Sequence, residues 1–212
     1  MEDLNARLNG LIVEGVVAAG KTTMIREIMS VLAERRHSCT KVFLSEHYTE
    51  RVLEDKKARK TLTVGKVIEH CDSILAMMKQ LALLKSSGKF KTEAGNASIY
   101  AVLERFIGSQ FANLSTLGVW NPIPSDNHRI RDLYTALAEL GFSIVILTVA
   151  EDQIAEAIDQ TRLHRNDKWT AYLDSIGDSE EVGKHYRDWQ RHLRTFYQSL
   201  ESACPMAEAW VQ

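Results

Sequence analysis

The chain has 212 residues, a net charge of −2 and 45% hydrophobic residues, which suits one compact domain with a sizeable core, or a domain carrying a small lid. Near-neutral charge gives no electrostatic ground for a nucleic-acid or membrane-surface partner, and no apolar run approaches the ~20 residues that span a bilayer. Met1-Glu2-Asp3 is acidic where a signal peptide would be basic, and Cys39, Cys71 and Cys204 are odd in number and widely spaced; the expectation is a cytoplasmic protein with reduced thiols, no disulfide framework and no cysteine metal site. The glycosylation-like strings Asn96-Ala97-Ser98 and Asn113-Leu114-Ser115 then read as chance.

In chain order, Leu11–Val13 predicts a first strand, followed directly by a helix over Thr22–Arg35 with Met24, Ile28, Met29 and Leu32 at helical spacing. Lys41–Leu44 predicts a second strand, and Val64–Leu84 a long helix ended by Ser86-Ser87-Gly88. Ser98–Leu103 predicts a third strand. Asn121-Pro122-Ile123-Pro124 is a loop into a helix over Asn127–Leu140, which Gly141 stops before a fourth strand, Phe142–Val149. After Glu151 a helix runs to about Arg165, with a polar stretch from His164 to Lys168. A last helix opens at Ser179-Glu180-Glu181, burying Val182, Tyr186, Trp189, Leu193, Phe196 and Leu200 while its arginines face water. Pro205–Val211 makes a weak fifth strand. Apolar strands alternating with helices predict an α/β fold with a buried parallel sheet and right-handed crossovers.

One loop carries chemistry. Gly15-x-x-x-x-Gly20-Lys21-Thr22 has the spacing of a phosphate cradle, a pattern expected by chance in roughly one chain of this length in a hundred. Set between strand and helix, the run Gly15, Val16, Val17, Ala18, Ala19, Gly20, Lys21, Thr22, Thr23 would wrap a nucleotide's phosphates with backbone N–H groups at a helix N-terminus. Lys21 would reach the β- and γ-phosphates and the Thr22 hydroxyl would ligate Mg²⁺. The motif does not distinguish a kinase from a motor, a switch or a transporter ATPase.

Strand ends narrow the choice. In an open parallel sheet the strand C-termini meet at the ligand crevice, so Glu46, Glu104 and Arg105 should share an edge with the loop. A kinase for a small hydroxyl compound needs a carboxylate to accept the hydroxyl proton, another to support Mg²⁺, and an arginine on the crowded phosphates. A regulatory GTPase would show Asn-Lys-x-Asp, which the sequence lacks; Asp174-Ser175-Ile176-Gly177 matches a switch motif by letters only. Glu104 alone is thin support for a motor ATPase, and a nucleotide-binding module without catalysis stays open.

Glu14-Gly15 before the loop, Ser45-Glu46 after the second strand, and Glu104-Arg105-Phe106 with Ser109 after the third resemble the deoxynucleoside kinases and the related thymidylate kinases, over about Leu11 to Tyr197. The resemblance implies a three-layer P-loop fold: a parallel sheet of about five strands, helices on both faces, and a short helical lid near 160–178 in one domain spanning 1–212. It implies ATP and Mg²⁺, Glu46 as general base, Arg105 at the acceptor and the transferring phosphate, and Glu104 supporting Mg²⁺. It also implies lid arginines, here Arg162 and Arg165, spaced as one helical turn on one face. His47 replaces a usual proline. Ser45 replaces the arginine that thymidylate kinases use for the acceptor's phosphate, which favours an uncharged hydroxyl. Gln110 stands where many relatives have aspartate, His70 and Asp72 lie near a usual base-reading glutamine, and the lid lacks an arginine-glycine-arginine run. The acceptor set is Glu46, Tyr48, Asp72, Arg105 and Gln110, with Tyr48, Phe90, Phe106, Phe111 and Trp120 able to line an apolar pocket. The expected function is phosphoryl transfer from ATP to a small-molecule hydroxyl, foremost a (deoxy)nucleoside. A nucleoside monophosphate, a non-nucleoside metabolite or a non-catalytic module are the alternatives. A homodimer through Val64–Leu84 is open, since core packing explains the same pattern.

Overall fold

Apolar runs flanked by turns give five strands: β1 (Gly10–Gly15), β2 (Cys39–Leu44), β3 (Ser98–Glu104), β4 (Phe142–Val149) and β5 (Met206–Val211). The computed structural model describes residues 8–34, 39–53, 61–87, 91–92, 95–96, 98–120, 124–200 and 203–211. The strands form one parallel sheet in the order β2-β3-β1-β4-β5. β1 is central, with Ile12 beside Leu103 on one side and Ile144 on the other. The weakly signalled β5 is an edge strand whose residues are all half-buried or exposed. A short antiparallel ribbon joins Lys91–Thr92 to Gly95–Asn96.

The helices are α1 (Lys21–Glu34), α2 (Glu46–Thr49), α3 (Val64–Ser86), α4 (Ile107–Thr116), α5 (Pro124–Glu139), α6 (Ile154–Arg162), α7 (Asp167–Ile176) and α8 (Ser179–Gln198), with a 3₁₀ turn at Arg51–Leu53. α1 packs on β1, β2 and β3, while α3, α4, α5 and α8 pack on one another across the sheet. This follows from right-handed crossovers: the step from β1 back to β2 puts α1 on one face, and the later steps put their helices on the other. The result is the three-layer P-loop kinase-like α/β fold, with helices on both faces.

Sequence and structure differ at helix ends and short elements. α6 stops at Arg162 rather than near Arg165, because Asn166 caps a new helix: its side chain accepts Trp169 N at 3.1 Å. α7 lies within the segment 160–178 where a short helical lid is expected, as a helix separate from α6, and the sequence patterns predict no helix at α2 or α4. Asp178 and Glu181 form a reciprocal capping box that starts α8, satisfying two otherwise orphaned N–H groups. α4 and α8 approach closely at Gly108, where a Cβ would stand 2.4 Å from the Tyr197 ring. Among the described residues no helix is long and apolar enough to cross a membrane. Arg35, Gly88, Phe90, Ala97 and Asn121-Pro122-Ile123 lie outside the described residues.

Candidate functional site

β1 delivers the phosphate loop to the C-terminal edge of the sheet. Gly15 has φ +146, and a Cβ there would sit 2.5 Å from Leu147 O, so the neighbouring strand itself demands glycine. Val16 and Ala19 are buried and anchor the loop, while Gly20 at φ +74 opens onto space free of atoms within 4 Å of a Cβ. Lys21 Nζ donates to Gly15 O at 3.0 Å and Val16 O at 2.8 Å. Burial, then the charge of Arg105, lowers the Lys21 amine to about 7. Thr22 and Thr23 stand exposed in the first turn of α1. Ala18 adopts φ 68, a left-handed conformation that costs a residue with a Cβ about 1–2 kcal/mol. Ala18→Gly relieves that strain but adds freedom to the unfolded chain, so chemical denaturation should show a gain of about 0.5–1 kcal/mol. An unchanged midpoint would show that the loop carries no strain there.

Glu14 continues β1 as a carboxylate inside the core, 0% exposed. Four donors explain why it is tolerated: Phe106 N at 2.9 Å, Ser109 N at 3.4 Å, Tyr197 Oη at 2.8 Å, and the Ser109 hydroxyl. Tyr197 also meets Tyr134 Oη at 3.0 Å. The cluster ties the start of the loop to the N-terminus of α4 and the end of α8. Burial outweighs these bonds and raises the Glu14 carboxyl above its ordinary 4.5. A raised folded-state value means its contribution is fully present below the unfolded value and is lost as pH rises through the folded one. Glu14→Gln keeps one oxygen for three donors and offers an N–H to the Ser109 hydroxyl. Its melting temperature should therefore gain on wild type between pH 5 and pH 8; curves that stay parallel would refute the raised carboxyl.

Arg105 follows β3 in a left-handed conformation, φ 64, with its N–H donating to Val13 O at 2.9 Å. Its guanidinium lies between two carboxylates, Nε 3.3 Å from Glu46 Oε2 and Nη1 3.2 Å from Glu50 Oε2, and covers the Trp189 ring at 5.4 Å. Nε is an ion-pair neighbour of Glu46 but is not aligned to hydrogen-bond it, and it is buried without an acceptor. Glu50 is held by Asn113 Nδ2 at 2.5 Å, and its carbonyl by Gln110 Nε2 at 3.1 Å. Trp189 Nε1 in turn donates to Asn113 Oδ1 at 2.8 Å. Glu46 Oε1 accepts from Arg51 Nη2 at 2.5 Å. Burial works to raise the Glu46 carboxyl, but Arg105, Arg51 and Lys21 together hold it below its ordinary value. Glu104 is almost buried, its Oε2 accepting Glu46 N at 3.5 Å and its carbonyl accepting Thr49 Oγ1 at 2.5 Å.

A cavity of about 780 Å³ joins these parts, reaching from Val17 of the loop past Glu46, Glu50 and Arg105 to α7 and α8. Of the expected site residues, Val17, Glu46, Arg105 and Arg165 line it. The others sit elsewhere. Tyr48 is 61% exposed, and its carbonyl meets His70 Nε2 at 2.9 Å. Asp72 pairs with Arg129 at 2.6 Å on the outer surface of α3 and α5. Gln110 is buried behind Glu50. Arg162 is tied to Asp159 at 3.2 Å and Asp174 at 2.6 Å, away from the cavity, and shares no helical face with Arg165, which lies beyond the end of α6. Phe106 is core, and Phe111 and Trp120 line a separate cavity of about 530 Å³.

The sequence reading missed Glu50, Arg51, Asn113 and Lys168, and the aromatic wall of Trp169, Tyr172, Tyr186 and Trp189. Glu50 carried a usable signal, four residues after Glu46 and so on its helical face. Among the described residues no group of three or more His, Cys, Asp or Glu side chains is gathered as a metal site.

A phosphate loop follows the central strand of a 2-3-1-4-5 parallel sheet, with an arginine and carboxylates at the same edge. Among solved structures, the chain is similar to deoxyadenosine kinase from M. mycoides with bound dATP. The TM-score is 0.46 and the identity 13%, over 95% of this chain and 90% of that one. No family model matches the sequence, and no curated protein matches it.

Proposed function

We propose that this chain transfers the γ-phosphoryl group of ATP to a hydroxyl of a small molecule, foremost a nucleoside. One observation carries the reading: Glu46, held ionised beside Arg105, lines the same cavity as the phosphate loop. The open space over Gly20 and the orphaned Nε of Arg105 both suit an anionic group. Lys21 leaves the carbonyls of Gly15 and Val16 for the β- and γ-phosphates. The acceptor hydroxyl replaces Arg51 at Glu46 and gives Glu46 its proton as the oxygen bonds to the γ-phosphorus. The bond from that phosphorus to the bridging oxygen breaks, ADP leaves, and Arg105 stabilises the charge on the moving group. Thr22 and Glu104 would hold Mg²⁺, which supplies charge neutralisation on the phosphates.

A second reading has its own support. The cavity wall carries Arg51, Arg105, Arg165 and Lys168 against Glu46 and Glu50, an excess of positive charge that also suits an acceptor already bearing a phosphate. ADP formation should therefore be measured against nucleosides, nucleoside monophosphates and other hydroxyl compounds. Glu46→Gln should lower transfer to the best acceptor about 10²–10⁴-fold while leaving ATP affinity unchanged. Full transfer by Glu46→Gln would remove Glu46 as the base. ATP binding with no acceptor-dependent turnover would make the chain a nucleotide-binding module.

A further inference from the structure

The residues the sequence offered for reading the acceptor's ring do not reach the cavity: Tyr48 and Asp72 face water and Gln110 is sealed behind Glu50. We infer that the acceptor's ring is instead recognised by stacking against helix α7, through Trp169 and Tyr172, with the buried Tyr186 and Trp189 of α8 lying behind them; this rests on the phosphoryl-transfer reading above.

All four rings border the cavity beyond Arg105, Tyr186 and Trp189 being 5% and 2% exposed and Tyr172 the open one, and the two tryptophans have fixed orientations. Trp169 Nε1 donates to Thr161 Oγ1 at 3.0 Å, and Trp189 Nε1 to Asn113 at 2.8 Å. Trp169 and Tyr172 lie one turn apart on α7, centroids 5.6 Å apart and planes tilted by 33°. The guanidinium of Arg165 covers Trp169 at 4.8 Å, while Tyr172 remains 42% exposed. An exposed aromatic beside fixed rings at a cavity wall is a surface that a planar ligand ring would cover. The pre-set rings lose little freedom when it does.

The wall also says how the ring is read. Asn113 donates to Glu50 and accepts from Trp189, and Asn166 caps α7. The carboxamide oxygens of the wall are thus committed to the protein. Recognition falls on the ring's face rather than its edge, and every base has such a face. The acceptor class is therefore ring-bearing hydroxyl compounds, purine and pyrimidine nucleosides alike, with the lid as the specificity element.

The test uses equilibrium binding of adenosine, cytidine and 2-deoxyribose to the intact chain by calorimetry, for wild type and Tyr172→Leu, with ATP affinity measured in parallel. Tyr172 is partly exposed, so the variant should fold, as its melting curve will show; Trp169→Phe, which keeps a ring, serves as the milder companion. Adenosine and cytidine should bind within about threefold of each other, and 2-deoxyribose about tenfold or more weaker. Tyr172→Leu should weaken both nucleosides about tenfold at unchanged ATP affinity. Failure of either nucleoside to bind, unchanged nucleoside affinity in Tyr172→Leu, or sugar binding equal to nucleoside binding would overturn the inference. A loss of ATP affinity in its place would put the donor's ring on this wall and overturn it too. The two readings separate cleanly. Stacked nucleosides with no ADP formed would sink phosphoryl transfer and spare the stacking wall, whereas transfer insensitive to Tyr172→Leu would do the reverse.

Discussion

Arg105→Ala is expected to lower folding stability by about 3 kcal/mol and to abolish phosphoryl transfer. Removing one partner of a buried ion pair costs about 3–5 kcal/mol, and the lower end applies because Glu46 keeps 23% of its side chain in water. The variant leaves Glu50 without its guanidinium and Glu46 with Arg51 as its remaining ion-pair partner. A pH control identifies the cause. Arg105 helps hold the Glu46 carboxyl below its ordinary 4.5, so the stability this pair contributes is present above that value and lost as pH falls through the depressed one. The gap between wild type and variant should therefore narrow in acid. Arg105→Gly offers a second check, because position 105 has φ 64. Glycine should recover about 0.5–1 kcal/mol over alanine without restoring transfer. Equal melting of wild type and Arg105→Ala at neutral pH would show that the carboxylates do not depend on this guanidinium.

Lys21→Met should weaken ATP binding about 10–100-fold, the worth of hydrogen bonds between charged partners, and lower turnover by a further 10²-fold or so. Its signature is proton linkage. The amine of the free protein is lowered to about 7, so at pH 8 it is mostly neutral, and a bound polyphosphate draws a proton onto it. Calorimetry in buffers of different ionisation enthalpy should show proton uptake approaching one per ATP at pH 8 and little at pH 6. Lys21→Met should show no such difference. The same lowered amine means that the native state binds fewer protons than the unfolded chain between about pH 7 and its ordinary 10.5. Wild-type stability should rise with pH across that window, and Lys21→Met should flatten the rise. Equal proton uptake by wild type and variant would assign the linkage to another group.

The parts legible in the sequence share a physical reason. The phosphate loop is encoded by backbone requirements at Gly15 and Gly20, which few other residues meet, and Glu46 and Arg105 sit at strand ends that topology brings together. Over 160–178 the sequence predicts a short helical segment but not where one helix ends and the next begins. α7 is short, and its start depends on the Asn166 cap, so Arg162 and Arg165 were placed on one helix that in fact ends between them. Tyr186 and Trp189 followed the core stripe of α8 in the sequence, and helical period cannot separate a residue facing the core from one facing a cavity. Glu50, the C-cap of a four-residue helix, is marked in the sequence only by its spacing of four from Glu46. Tyr48 and Asp72 were placed by neighbourhood in sequence, and the turn of α2 and the pairing with Arg129 took them outward.

The hydroxyl of Tyr197 bonds to Glu14 across 183 residues of chain. A ribosome adding about 5–20 residues per second needs roughly 10–40 s to make that stretch. Throughout that interval the phosphate loop exists as sequence without the partner that locks its base. Phe106 and Ser109 can already hold Glu14 in that interval, and Tyr197 adds the last of its four donors. A fragment ending before α8 carries every residue of the loop but lacks that last donor, so its loop should be less firmly anchored than in the full chain.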